Sequence, residues 1–124
     1  MIHMKKIMVV DDEESLRELV NAIFTSEGYE VIMASSGQDC LEKLKNERPD
    51  LVLMDMMMPG MSGRETTEKI RENANTKSLK VVFLTVARFS ETGKETLDKL
   101  DVADYITKPF DNDILIKKVK KLTE

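Results

Sequence analysis

The stretch Lys6-Ile7-Met8-Val9-Val10-Asp11-Asp12 decides the fold. A short apolar run that ends abruptly in carboxylates reads as a strand covered on both faces, with its charges just past the carboxyl end. Two further junctions have the same form: Leu51-Val52-Leu53-Met54 into Asp55, and Ala103-Asp104-Tyr105-Ile106-Thr107 into Lys108-Pro109. If these runs are neighbouring strands of one parallel sheet, their carboxyl ends share the edge where open α/β sheets bind ligands. Asp11, Asp12 and Asp55 would then crowd a small volume beside the Lys108 ammonium. Like charges that close repel, and a hard divalent cation is the usual relief. A carboxylate held beside such a cation can also accept a phosphoryl group.

Working outward, Glu30 to Ala34 and Lys80 to Thr85 complete a set of strand candidates with Lys6 to Val10, Leu51 to Met54 and Ala103 to Ile106. Amphipathic stretches lie between them. Leu16, Leu19, Val20, Ile23 and Phe24 trace one helical face, and Gly28 supplies a stop. Ser36 with Asp39 reads as a capping pair for a helix that ends before Arg48-Pro49. Asp111 caps the last helix, whose expected buried stripe is Ile114, Leu115, Val119 and Leu122. Two helices, near Gly63 to Asn73 and Ser90 to Leu100, have thin apolar faces. Five strands alternating with five helices predict a doubly wound α/β fold, a parallel sheet with helices on both faces. Its length suits the flavodoxin-like order 2-1-3-4-5, which puts Asp11, Asp12 and Asp55 at the topological switch.

The chain has 124 residues, 41% of them hydrophobic and 34% charged, enough for one domain with a real core and too apolar for general disorder. A net charge of −4 argues against direct nucleic-acid binding, and Lys117-Lys118 with Lys120-Lys121 reads as a solvated helix face. No stretch approaches the roughly 20 apolar residues of a membrane span. The start Met1-Ile2-His3 lacks a signal-peptide core, and His3 precedes any structured pattern. Cys40 has no second cysteine to pair with, which points to a reducing cytoplasm, and its place beside Leu41 and Leu44 reads as core packing.

From about Lys6 to Leu122 the chain resembles the receiver domain of two-component response regulators. The resemblance rests on Val9-Val10-Asp11-Asp12-Glu13, on Leu53-Met54-Asp55-Met56-Met57-Met58-Pro59-Gly60, on Leu84-Thr85 and on Tyr105-Ile106-Thr107-Lys108-Pro109-Phe110. It implies that Asp55 takes a phosphoryl group from a sensor histidine kinase or a small acyl phosphate. Magnesium would be held by Asp12, Asp55 and the backbone carbonyl of Met57, with Asp11 acting through water. Lys108 and Thr85 would contact phosphoryl oxygens, and the Lys108-Pro109 bond would be cis. Thr85 and Tyr105 would form a switch, the ring turning inward as the hydroxyl moves toward the phosphoryl group. The downstream partner would bind the face made by the Ser90 to Leu100 helix, the last strand and the last helix. Such a domain is a monomer or a phosphorylation-promoted dimer, and a signalling module rather than an enzyme. No output pattern follows Leu122, so residues 1–124 read as a single receiver domain, stand-alone or excised.

Each residue has a structural alternative. Asp11 and Asp12 can serve as helix N-caps, Asp12 in both roles; Asp55 can start the turn before Pro59-Gly60; Lys108 can be a surface lysine, and Tyr105 a half-buried strand aromatic. Four such coincidences at one sheet edge make the poorer explanation. The run Met54, Met56, Met57, Met58 is packing and loop, because thioethers prefer soft metals and this set is all oxygen. A haloacid-dehalogenase-type phosphatase needs a second Asp two residues after the first, where Met57 stands. A flavin module needs a phosphate loop after the first strand, where Asp11-Asp12-Glu13-Glu14 would repel the anion. A receiver that only binds proteins would not need all these site residues. Departures from the family pattern are Asp101-Val102-Ala103-Asp104, which lacks the glycine-alanine pair often seen before the position of Tyr105, and Met57 and Ala87, neither able to orient a water.

Overall fold

The computed structural model describes residues 4–86 and 98–124. Its strands are β1 (Lys6–Val10), β2 (Glu30–Ala34), β3 (Leu51–Asp55), β4 (Val81–Thr85) and β5 (Asp104–Thr107), all parallel, in the order β2-β1-β3-β4-β5. The described helices are α1 (Glu14–Ser26), α2 (Gly37–Lys43), α3 (Gly63–Glu72) and α4 (Asn112–Thr123). This is the doubly wound α/β fold expected from the alternating pattern. The proposed helix near Ser90 to Leu100 lies outside the described residues except for 98–100.

Period-two alternation divides the core. Ile7, Val9, Leu51, Leu53, Val82 and Leu84 face α1 and α4, packing on Val20, Phe24, Leu115 and Val119. Met8, Val10, Val52, Met54, Val81 and Phe83 face the other way, onto Cys40, Leu44 and Ile70 of the α2 and α3 side. The central strands β3 and β4 are buried at every position, which is why their sequences are unbroken apolar runs.

Local chemistry sets the helix ends. Gly28, at φ 89°, follows α1 in a Schellman arrangement: Tyr29 N–H donates to the Phe24 carbonyl at 2.9 Å and Gly28 N–H to Thr25 at 3.1 Å. The Phe24 and Tyr29 rings meet edge to face at 5.5 Å, supplying the hydrophobic contact of that motif. Ser36 accepts from Asp39 N–H at 3.0 Å, and Asp111 accepts from Asp113 and Ile114 N–H, as the capping patterns predicted.

Several expectations need correction. The N-cap of α1 is Glu13, with no side-chain cap bond, so neither Asp11 nor Asp12 caps that helix. Leu19 and Ile114 are exposed, leaving Leu16, Val20, Ile23 and Phe24 on α1 and Leu115, Val119 and Leu122 on α4 to face the core. Both outliers sit at the margin of their stripe, where a helix face turns to solvent. β3 runs one residue further than expected and so includes Asp55, while β5 starts and ends one residue later than expected.

Candidate functional site

β1 and β3 are neighbours with Val10 opposite Met54, so the residues that follow, Asp11 and Asp55, stand side by side at the carboxyl edge. Asp11 is fully buried. Its backbone N–H continues the ladder to the Ala34 carbonyl at 3.1 Å, and the Asp11 backbone carbonyl accepts from the Arg17 guanidinium of α1 at 2.7 Å. One carboxylate oxygen, Oδ1, accepts from Glu13 N–H at 2.9 Å and the other, Oδ2, from Lys108 Nζ at 2.7 Å. The same ammonium lies 3.5 Å from Asp55 Oδ1, which also accepts from Met57 N–H at 3.2 Å. Lys108 follows β5, its N–H donates to the Thr85 carbonyl at 2.6 Å, and its bond to Pro109 is cis.

Burial and charge act together here. Asp55 is 5% exposed, and its pKa is pushed up to about 6, first by burial and next by the Asp11 charge. The Met57 N–H and the Lys108 ammonium pull the other way without cancelling those effects. For Lys108, burial works to lower the pKa, yet the hydrogen bond and charge of Asp11, with Asp55 and Glu13, hold it above the ordinary lysine value. Two buried carboxylates thus share one ammonium.

Asp12 is exposed beside them, and one oxygen from each of Asp11, Asp12 and Asp55 lies within 4.8 Å of the others. This hard, all-oxygen set, open to water on the Asp12 side, suits a receiver-domain metal site, since hard divalent cations prefer oxygen ligands. The sequence-predicted residues Asp11, Asp12, Asp55 and Lys108 are therefore brought together, with Thr85 buried at the end of the adjacent β4. Tyr105 is not in this cluster. It pairs in register with Phe83, two positions before Thr85, and is exposed with Lys118 Nζ 5.9 Å from its ring centroid. Ala87 lies outside the described residues.

The sequence pattern starts a helix near Gly63 but does not reveal the roles of Gly63 and Arg17 at the site. A Cβ on Gly63 would overlap the Asp55 carbonyl, and the Gly63 N–H donates to Met56 at 3.0 Å, so α3 starts directly against the backbone that carries Asp55. The one available signal was Ser62, two residues after Gly60, which accepts from Glu65 N–H at 3.1 Å as the α3 cap.

Residues 7–120 match the model of the response regulator receiver domain. Protein PilH of Pseudomonas aeruginosa is 33% identical over 116 residues, covering 94% of this chain and 95% of that protein. Response regulator RR06 of Streptococcus pneumoniae is 39% identical over 94% of this chain and 52% of its own length. The alkaline phosphatase synthesis transcriptional regulatory protein PhoP of Bacillus subtilis is 39% identical over 86% of this chain and 43% of its own. The chain thus spans about half the length of the latter two relatives. Among solved structures, the chemotaxis protein CheY4 of Vibrio cholerae superposes with a TM-score of 0.90 at 29% identity, covering 97% of this chain and 99% of that one. The response regulator TrrA of Thermotoga maritima, solved in complex with magnesium and BeF, superposes at 0.81 with 39% identity, covering 96% and 99%. The chain belongs to the response regulator receiver domain family.

Proposed function

We propose that residues 1–124 form a single receiver domain that takes a phosphoryl group onto Asp55, from the phosphohistidine of a sensor histidine kinase or from a small acyl phosphate. An Asp55 carboxylate oxygen bonds to phosphorus as the donor's P–N bond breaks, and the imidazole leaves with that electron pair and takes up a proton. Such a transfer needs in-line positioning and neutralisation of oxygens more than covalent machinery. Bound magnesium would supply that neutralisation, held by Asp12, Asp55 and the Met57 backbone carbonyl, with Asp11 acting through water. Asp11 has its oxygens committed to Lys108 and Glu13, which favours the water-mediated role.

The chain's own residues do the rest. Gly63 and the Met57 N–H fix the Asp55 backbone and carboxylate. The Lys108 ammonium, steered by Asp11, meets a phosphoryl oxygen, and the Thr85 hydroxyl donates to another. Movement of Thr85 draws the Tyr105 ring inward, changing the face that a downstream protein reads. The domain works in the cytoplasm as a signalling module, monomeric or dimerising on phosphorylation, and assists its own phosphorylation and dephosphorylation. No helix among the described residues is long and apolar enough to cross a membrane.

The observation that carries this reading is the Lys108 ammonium lying 2.7 Å from buried Asp11 and 3.5 Å from Asp55. Incubation with acetyl phosphate and magnesium, read by intact mass, should add one phosphoryl group to the wild type and none to Asp55→Asn. Equal modification of both proteins would refute the assignment.

A further inference from the structure

The methionine run beside Asp55 is not uniform. Met54 is fully buried, Met58 is 8% exposed and Met56 is half-buried, whereas Met57 is 73% exposed. Of the other described methionines, only Met4 at 52% and Met33 at 37% are comparably open. Both stand away from Asp55, Met4 before the start of β1 and Met33 on the edge strand β2. Met57 does not stand away: its backbone N–H is bonded to the Asp55 carboxylate at 3.2 Å. Met57 is therefore the most exposed of the described methionines and stands next to the acceptor carboxylate, while Met54 and Met58 are buried.

We propose that Met57 is a redox modification site, at which conversion to the sulfoxide shortens the life of a phosphoryl group on Asp55. The inference rests on the Asp55 reading above. The oxidant is a hydroperoxide such as hydrogen peroxide. With hydrogen peroxide, the thioether sulfur gives an electron pair to one peroxide oxygen, an S–O bond forms as the O–O bond breaks, and the second oxygen takes up the proton of the first and leaves as water. Sulfur is oxidised by two electrons, and a thiol-dependent sulfoxide reductase reverses the change. The thioether is a weak acceptor that cannot hold a water well, whereas the sulfoxide oxygen is a strong one. Carried by a flexible side chain rooted within hydrogen-bond distance of the carboxylate, that oxygen can orient a water toward phosphorus.

The test has two readouts. Limited hydrogen peroxide treatment followed by peptide mass mapping should convert Met57 ahead of every other described methionine. Oxidised and untreated proteins are then charged with acetyl phosphate and magnesium, and loss of the phosphoryl group is followed after donor removal. Oxidised wild type should lose it several-fold faster than untreated protein, Met57→Leu should show no change on the same treatment, and Met57→Gln should be fast without peroxide. Preferential oxidation of a buried methionine, or an equal rate change in oxidised Met57→Leu, would overturn the proposal. A phosphoryl group whose lifetime ignores oxidation would overturn this inference alone. Absence of any phosphoryl group on untreated protein would overturn the Asp55 reading and the lifetime claim with it.

Discussion

The two ends of this sheet carry charges under opposite conditions. At the amino end, Lys6 opens β1 with its ammonium 3.2 Å from Glu47 and 3.6 Å from Glu30, and its backbone N–H donates to Asp50 at 2.8 Å. Those groups reach solvent and each finds an opposite charge or a donor, so the arrangement holds strands in place and little more. At the carboxyl end, Asp11 and Asp55 are buried and share Lys108, with Asp12 a third carboxylate beside them. The same sheet thus satisfies its charges at one end and leaves negative charge in excess at the other. Functional sites are where such imbalances persist.

The comparison breaks most visibly at the lysines. Lys108→Met leaves Asp11 buried without its ammonium and should destabilise the metal-free domain by about 2 kcal/mol, below the roughly 3–5 kcal/mol of a fully enclosed pair because water reaches the lysine. Lys6→Met should leave the urea midpoint close to that of the wild type. Urea denaturation in a chelator measures both, and equal losses would erase the distinction between the two ends.

Next comes pH. Asp55 has its folded pKa pushed up to about 6, above the unfolded value near 4, so between those values the folded state binds more protons than the unfolded one. The contribution of this group to stability is therefore full below about pH 4 and is lost as pH rises through about 6. Asp55→Asn removes the titration. Without metal it should melt higher than the wild type at pH 7.5, and the gap should close as pH falls to 4. A gap that is constant across that range would show that Asp55 ionises without strain.

The smallest effect lies at the amino end. Asp101, with φ 54°, is the only non-glycine residue at positive φ among the described residues, and it opens the segment where the sequence lacks the expected glycine-alanine pair. Arg71 reaches across from α3 to the carbonyls of Leu100 at 2.7 Å and Asp101 at 3.1 Å, keeping this turn in place ahead of β5. Asp101→Gly should raise stability by about 0.5–1 kcal/mol, since glycine adopts the left-handed region freely. Thermal denaturation would show the gain, and phosphorylation by acetyl phosphate should be unaltered.

The sequence was readable where burial is two-sided. The strands announce themselves as apolar runs, and Asp11, Asp55 and Lys108 stand out because each charge follows such a run. α3 was harder because its buried face carries Thr66 and Thr67 with Ile70. Those hydroxyls return their hydrogen bonds to the Ser62 and Gly63 carbonyls at 2.8 Å, so polar residues are buried at little penalty and the apolar pattern disappears. Gly63 acts through a backbone contact signalled only by the Ser62 cap beside it, and Arg71 through a long reach that no local pattern signals. Leu19 and Ile114 were misplaced because helical periodicity gives the direction of a face but not its width.

The central claim is that the excess negative charge at the carboxyl end is built to take a divalent cation. Calorimetric titration of magnesium into the unphosphorylated domain tests it most directly. The account predicts a single saturable binding event in the wild type that is lost in Asp12→Ala and retained in Lys6→Met. Undiminished binding in Asp12→Ala, or no binding to the wild type, would contradict it.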